Sequence, residues 1–399
     1  NQRPAATYQG IGGVVEGSNG LTILSGDIGT ANDSTDNSYH VIVVANATAA
    51  VVIDGFTITK GNANSNSTFL GGLATNDRGA GLYAYNNGSN LTLSNLTFTQ
   101  NTVTNGGSYC NSSTSPTISQ CVWQQNSSVV NGGLNSSAIL TLSGNLNLSQ
   151  CSFIQNSARG EGTVRLLGTG STQTFSKCLF NGNTANSEGT GIHNSSSMTI
   201  QLSQSVFVNN SSGSNGGAVR FGAGTQTVDN CVFANNTATN NGGAVFTGAN
   251  TSIRNSVFYG NTATFRGGAI QSYTNATISN CIIYNNTAPT GAGIHVASGT
   301  PVVEYSNVQG GFTGTGNINS NPLFVNENDL DGADNIWGTN DDGLALINTS
   351  SSVNNGTSIN APATDIVGTN RPQGGGVDMG AYEASFETIW NGITWSNGL

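Results

Sequence analysis

The sequence predicts an all-β fold, a right-handed parallel β-helix of about ten coils followed by a loop-rich C-terminal cap. Three observations support this prediction. Only 8% of the 399 residues are charged and 55 are glycine. A Phe-x-x-Asn phrase recurs about every 26 residues, and a Gly-Gly-Ala-Val phrase recurs out of phase with it. The composition excludes a helical enzyme, because Gly, Asn, Ser and Thr turn and break helices.

Composition also excludes other classes of protein. Hydrophobic residues make up 36% of the chain and recur regularly, which argues against disorder. The 20 acidic residues outnumber the 10 basic ones, whereas a nucleic-acid partner would require a basic face. No apolar run approaches the roughly 20 residues that a membrane-spanning helix needs, so we expect no membrane span. Because the chain starts at Asn1 without an initiator methionine, we interpret it as part of a longer protein.

The first phrase places an aromatic or apolar residue three positions before an asparagine. Its copies are Phe98/Asn101, Trp123/Asn126, Phe153/Asn156, Phe180/Asn183, Phe207/Asn210, Phe233/Asn236, Phe258/Asn261 and Ile283/Asn286. Between turns the residues alternate between apolar and polar, as in 91–98 and 276–283, which is typical of strands with one buried side. A single strand pair cannot bury such a side, so we expect coils stacked about 4.8 Å apart.

Stacking places equivalent residues of successive coils above one another. We therefore expect the aromatic residues to form one interior column. We expect the asparagines to lie where the chain turns and to bond backbone groups of their own turn and the amides above and below. From residue 40 to 310 this arrangement gives a rod on the order of 50 Å long.

The repeat divides the chain into four parts. They are an N-terminal cap with the first strands (1–39), the β-helix (40–310), a C-terminal cap (311–385) and a linker or the start of a following domain (386–399).

Five of the six cysteines lie two residues before the aromatic position: Cys121, Cys151, Cys178, Cys231 and Cys281. Two steps along a strand keep the same side, so these side chains should point inward. Parallel neighbours about 4.8 Å apart exceed the roughly 3.8 Å between β-carbons that a disulfide prefers, so we predict free thiols. Cys110 is out of register, and its role is open.

The three histidines are too scattered for a metal site. His193 and His295 each follow the isoleucine of a Gly-x-Gly-Ile phrase, so we predict that they share one outward column about four coils apart. We expect them, with His40, to be ordinary solvent-facing residues.

Six of the 20 carboxylates lie between Glu327 and Asp342. Closely spaced carboxylates with glycine between them suit calcium, which takes six to eight oxygen ligands. We therefore consider a calcium site formed by Asp329, Asp331, Asp334, Asp341 and Asp342. A solvated aspartate-rich turn is the alternative, since the pattern is not that of an EF-hand loop. No other cofactor is expected.

The two phrases resemble the repeats of the polymorphic outer-membrane protein family, β-helical bacterial surface adhesins, over roughly residues 79–290. The segments 331–343, 364–371 and 374–383 are similar to the choice-of-anchor Q region, which ends the β-helix in large secreted proteins of Bacteroidetes-type bacteria. The segments 24–29 and 53–58 are similar to the first coils of the same proteins. The resemblance implies a secreted bacterial adhesin, located outside the cell or on its surface.

The leading functional hypothesis is a non-catalytic β-helix that acts in adhesion or as a subunit of a surface appendage. Stacked faces and open ends would permit self-association into homo-oligomers or filaments, and cell-surface or glycan ligands are conceivable partners. The rival is a polysaccharide lyase or glycoside hydrolase, with Glu161, Glu188 and Asp229 as acids near Arg159 and Arg165. So few acids make catalysis the weaker hypothesis.

A third hypothesis is ice binding. It rests on threonines that follow the asparagine column and could form a flat row: Thr102, Thr184, Thr237, Thr262 and Thr287. The varying coil length argues against flatness.

Overall fold

A computed structural model describes Ile11, residues 22–130 and 135–384, and the backbone of 387–390 and 393–396. Of the predicted N-terminal cap at 1–39, residues 1–10 and 12–21 lie outside the described residues, and so do 386, 391–392 and 397–399 of the predicted segment at 386–399. Three parallel sheets wind around one interior, so the predicted all-β, right-handed parallel β-helix is confirmed. Among the described residues there is no α-helix, and one 3-10 turn spans Leu70–Gly72.

The first sheet carries the aromatic phrase and has eleven strands. They are Thr22–Ser25, Phe56–Thr59, Thr97–Thr99, Val122–Gln124, Ser152–Ile154, Leu179–Asn181, Val206–Val208, Val232–Ala234, Val257–Tyr259, Ile282–Tyr284 and Asn307–Val308.

The second sheet has 18 strands in two side-by-side ladders, which two long strands join. One ladder consists of Ile42–Ala45, Leu82–Gly88, Tyr109–Thr114, Ile139–Thr141, Val164–Leu166, Ile192–Ser203, Val219–Asp229, Val245–Thr247, Ile270–Ser272 and Ile294–Val296. The other adds Val51–Asp54, Leu91–Ser94, Thr117–Ser119, Leu146–Ser149, Thr172–Ser176, Asn250–Arg254, Thr277–Ser279 and Val302–Glu304.

The third sheet has eight short strands, one for each complete coil. They are Asn62–Ala63, Thr102–Val103, Ser127–Ser128, Ser157–Ala158, Thr184–Ala185, Ser211–Ser212, Thr237–Ala238 and Thr262–Ala263. The predicted count of about ten coils is therefore slightly too high, because the later coils lack a third-sheet strand. Two antiparallel hairpins complete the fold, Thr68–Phe69 with Ala74–Thr75 and Glu387–Trp390 with Ile393–Ser396.

One column of aromatic rings runs through the interior, as predicted. Consecutive rings stack with centroids 4.4 to 5.1 Å apart and planes within 9° of parallel. The members are Phe98, Trp123, Phe153, Phe180, Phe207, Phe233 and Phe258. All are fully buried, and Ile58 and Ile283 continue the column at its two ends.

The asparagine column forms a continuous hydrogen-bonded ladder at the turn between the first and third sheets. The Nδ2 of Asn183 donates to the Phe153 carbonyl at 2.8 Å and to Oδ1 of Asn210 at 3.0 Å. Its Oδ1 accepts from the backbone N–H of Asn156 at 3.0 Å. The predicted amide-to-amide bonds are present, and the backbone bonds of Asn183 reach the neighbouring coils. Bonds to the residue's own turn are present at two members, from Asn126 to the Gln124 carbonyl at 3.2 Å and from Asn286 to the Tyr284 carbonyl at 3.0 Å.

The inward cysteine column is confirmed, and all six cysteines are buried free thiols. In this column Sγ or Oγ bonds the carbonyl two residues earlier, at 3.3 Å for Cys121 and 2.9 Å for Ser205. A cysteine and a serine at this position therefore make the same hydrogen bond. Cys110 lies on the outer side of the second sheet, packed with Tyr83 and Leu140 under the Thr68–Phe69 hairpin.

The C-terminal cap covers the last coil and then returns along the outer side of the first sheet. Phe312 packs against the end of the interior core. Ile366 and Met379 lie in a second apolar cluster with outward side chains of the first sheet, including Val232 and Val257. Side-chain amides of that sheet also bond cap carbonyls, such as Asn230 to Thr364 at 2.7 Å.

Candidate functional site

The chemically richest part of the second sheet is a column of side chains on the outer side of its first ladder. We call it the outer column. Its members, in register from coil to coil, are Tyr83, Cys110, Leu140, Arg165, His193, Arg220, Phe246, Gln271 and His295. The column combines charged, aromatic and amide side chains.

Glycines at the corner between the third and second sheets bring a loop close against this column. At Gly189, φ is 60° and an added Cβ would lie 2.9 Å from the Cβ of Arg220. At Gly216, φ is 70° and an added Cβ would lie 2.5 Å from the Val219 carbonyl oxygen. Only glycine combines this backbone conformation with so close an approach. The residue before each such glycine therefore faces the outer column.

Five side chains meet at this corner and form what we call the charged cluster: Glu161, Arg165, Glu188, His193 and Arg220. Glu161 is in contact with the Arg165 guanidinium, and its Oε2 lies 3.0 Å from Nδ1 of His193. Glu188 pairs with Arg220 at 2.5 Å and accepts a hydrogen bond from Asn215 at 2.7 Å. Two carboxylates thus balance two guanidinium groups.

His193 is buried, so the expectation that it faces solvent is wrong. Its column position and the four-coil spacing to His295 are as predicted, but the charged cluster covers it and leaves 2% of it exposed. Burial and the flanking Arg165 and Arg220 lower the pKa of His193 to about 3. The neutral ring lies 3.2 Å from the Arg220 guanidinium through Nε2, which leaves Nδ1–H to face Glu161.

The candidate catalytic acids do not form an acid and base pair. Glu161 and Glu188 lie in the same cluster but are each engaged by an arginine. Asp229 is held elsewhere by Arg254, with nitrogen to oxygen distances of 2.6 and 2.7 Å. Arg159 is exposed on the third-sheet side and outside the cluster.

Sequence analysis missed Arg220 and the role of His193 as partners of the two glutamates. A signal for them was present, because Arg165, His193 and Arg220 recur at nearly the repeat length, each directly after the Val or Ile of the glycine phrase.

The third sheet carries an unbroken outward row of hydroxyl groups. Its eight members are Thr102, Ser127, Ser157, Thr184, Ser211, Thr237, Thr262 and Thr287. The row keeps register although coil length varies, because the longer coils place their extra residues elsewhere. The predicted threonine row is thus real, with serines in the coils between.

Three of the five predicted calcium ligands, Asp334, Asp341 and Asp342, accept hydrogen bonds from the protein itself. Asp341 accepts from Thr339 at 2.7 Å and from the Asp334 backbone N–H at 3.2 Å. Asp342 is buried and accepts from Tyr382 OH at 2.6 Å and from Gly338 N–H at 2.7 Å.

Across the described residues, no three His, Cys, Asp or Glu side chains are placed to hold a metal ion. Asp329, Asp331, Asp334, Asp341 and Asp342 form no such group in this arrangement. The site stays a prediction, which a melting-temperature shift on adding calcium to chelator-treated protein would test.

A family model described as a right handed beta helix region matches residues 164–330, from the charged cluster to the start of the cap. With the three parallel sheets, this match identifies a β-helix protein. None of the curated proteins is significantly similar to the chain in sequence. Within the part of the chain that the structure describes, no helix has the length and apolar character needed to cross a bilayer.

Proposed function

We propose that this β-helix is a non-catalytic bacterial protein of the cell surface or extracellular space. It acts in adhesion or as a structural subunit of a surface appendage. The observation that carries the proposal is the hydroxyl row of the third sheet, which repeats one kind of hydrogen-bonding group once per coil. Many weak, evenly spaced contacts bind an extended surface by avidity rather than by one deep pocket.

The charged cluster supports the non-catalytic part of the proposal. A hydrolase needs one carboxylic acid and one carboxylate free to act on substrate. Here both glutamates are paired with arginine, and the histidine between them is neutral and buried. The charges of the two glutamates and the two arginines neutralise one another, as buried charges in a protein must.

Apolar residues at the two ends of the rod support self-association. Val52, in the first complete coil, is 65% exposed, and Val302, in the last rung of the second sheet, is 51% exposed. Exposed apolar side chains on the outer faces of the end coils offer contact area to another copy. We propose contacts between copies at these coils, which produce homo-oligomers or filaments.

Attachment of protein-coated beads to bacterial and host-cell surfaces tests the adhesion proposal. Replacing Ser157, Thr184 and Ser211 together by alanine should reduce attachment, because it interrupts the hydroxyl row in adjacent coils. The matched control replaces Thr92, Thr117 and Thr174, which are outward residues of the second sheet, and should leave attachment unchanged. No attachment by the wild type, with only monomers in light scattering, would contradict the proposal.

Ice binding is a second candidate, since the hydroxyl row keeps register across coils of different length. Ser127 and Ser157 are adjacent in the row, as are Thr237 and Thr262, although their sequence separations differ. Thermal hysteresis measured on the wild type and on the Ser157, Thr184 and Ser211 triple alanine variant decides between the two functions. Hysteresis that the triple variant loses would favour ice binding.

A further inference from the structure

Beyond the charged cluster, the outer column continues into an aromatic pair. The Phe246 and Tyr273 rings lie 5.2 Å apart, tilted by 39°. Tyr273 is 42% exposed, and the Arg220 guanidinium lies over Phe246, 5.7 Å from its centroid. An exposed ring pair beside a cation offers packing to the apolar C–H face of a sugar ring.

One cation on the same coil as Tyr273 has no carboxylate partner among the described residues. Arg266 occupies the loop position that Glu188 holds beside the charged cluster, and it is exposed. Within the described ranges, no carboxylate lies at ion-pair distance from it. Its charge lies close enough to His295 to contribute, after burial, to lowering the pKa of that ring. The acidic chain thus carries a locally positive patch here, which suits an anionic group.

We propose that Arg266, Phe246 and Tyr273, which we call the aromatic patch, bind a uronic-acid residue of an acidic glycan. The sugar ring packs on the two aromatic rings, and its carboxylate pairs with the Arg266 guanidinium. The inference rests on the proposed adhesion function and gives it a ligand class and a site.

Isothermal titration calorimetry with a galacturonate oligomer tests the site, and a galactose oligomer of equal length tests the need for the carboxylate. We expect the wild type to bind the acidic oligomer and to lose affinity as salt is added. Tyr273→Ala and Arg266→Gln should each weaken binding about tenfold. Arg159→Gln removes the same charge from an exposed position several coils away and should bind as the wild type does. Unchanged thermal melting of each variant excludes misfolding.

Three outcomes would overturn the inference: no binding of the galacturonate oligomer, equal binding of the two oligomers, or full affinity in both patch variants. Polyglutamate that competes as well as the acidic oligomer would overturn it too, since it would show a site for charge alone. Bead attachment that persists without any glycan binding would remove this inference and leave the adhesion proposal intact. Glycan binding without attachment would support the inference and contradict adhesion.

Discussion

The rings of Phe153 and Phe180 lie 4.4 Å apart between centroids with 9° between their planes, the closest pair in the interior stack. Isolated aromatic pairs favour offset or edge-to-face geometry. Here the backbone sets the orientation of the rings, because parallel strands one coil apart repeat the same conformation at a spacing of about 4.8 Å. Equivalent side chains with equal rotamers must then lie parallel. The stack is thus a consequence of coil registry.

Truncation of one stacked ring should strongly destabilise the protein. Phe180→Ala leaves a cavity between Phe153 and Phe207, and we expect a loss of about 3–5 kcal/mol in the free energy of unfolding by urea. Phe265→Ala is the matched control, since Phe265 is 56% exposed and its loss should change stability by less than about 0.5 kcal/mol. Equal effects of the two variants would contradict the interior column.

Interruption of the asparagine ladder should also destabilise the coil. Asn183→Ala removes the acceptor of the Asn156 backbone N–H and the donor to the Phe153 carbonyl. Each buried group left without a partner costs about 1–3 kcal/mol. Asn186→Ala, at an exposed position of the same coil, should be nearly neutral. Urea unfolding of both variants checks this, and a neutral Asn183→Ala would show that the ladder contributes little.

The inward columns that the sequence predicted follow from registry alone. The aromatic, asparagine and cysteine columns needed only the period and the alternation along each strand. The exposure of His193 could not be predicted in the same way, since it depends on Glu161, which reaches it from a different loop. Side-chain contacts across a corner leave no periodic signal in a single sequence.

The position of the cap was also beyond the sequence prediction, although a signal for it exists. In the later coils the outward position of the first sheet is apolar, with Val206, Val232, Val257 and Ile282. Earlier coils have Thr97, Val122 and Ser152 there. The uninterrupted apolar run in the later coils indicates that this side of them is covered. It does not reveal which segment provides the cover.

The thiols should be unreactive in the native protein. Burial raises the pKa of Cys110 and of Cys281 to about 12, so almost no thiolate forms at neutral pH. Ellman's reagent should detect no thiol under native conditions and all six in denaturant without reductant. Fewer than six in denaturant would reveal a disulfide and contradict the free-thiol column.

The buried carboxyl of Asp342 should make the protein less stable as pH rises. Burial raises its pKa from 3.8 to about 7, so the folded state binds more protons than the unfolded state between these values. Its contribution is present below about pH 4 and is lost as pH rises to 7. Asp342→Asn should therefore gain stability over the wild type in melts at pH 8 relative to pH 5. Asp334→Asn, exposed in the same loop, controls for net charge, and equal behaviour of the two would contradict the linkage.

The buried imidazole of His193 should make the protein less stable as pH falls, the opposite of the effect of Asp342. Its pKa falls from 6.5 to about 3 on folding, so between these values the unfolded state binds more protons. The stability that the neutral ring provides is present above pH 6.5 and declines as pH falls, by up to about 1.4 kcal/mol per pH unit. His193→Gln keeps a donor and an acceptor for Glu161 and Arg220 but cannot titrate. Urea unfolding from pH 7 to 4.5 should therefore show a shallower decline in this variant than in the wild type. His295→Gln is the control, since His295 lies in the same column but is more exposed, and it should change the slope much less. Parallel curves for the wild type and His193→Gln would show that the His193 ring is protonated without a loss of stability in the folded protein.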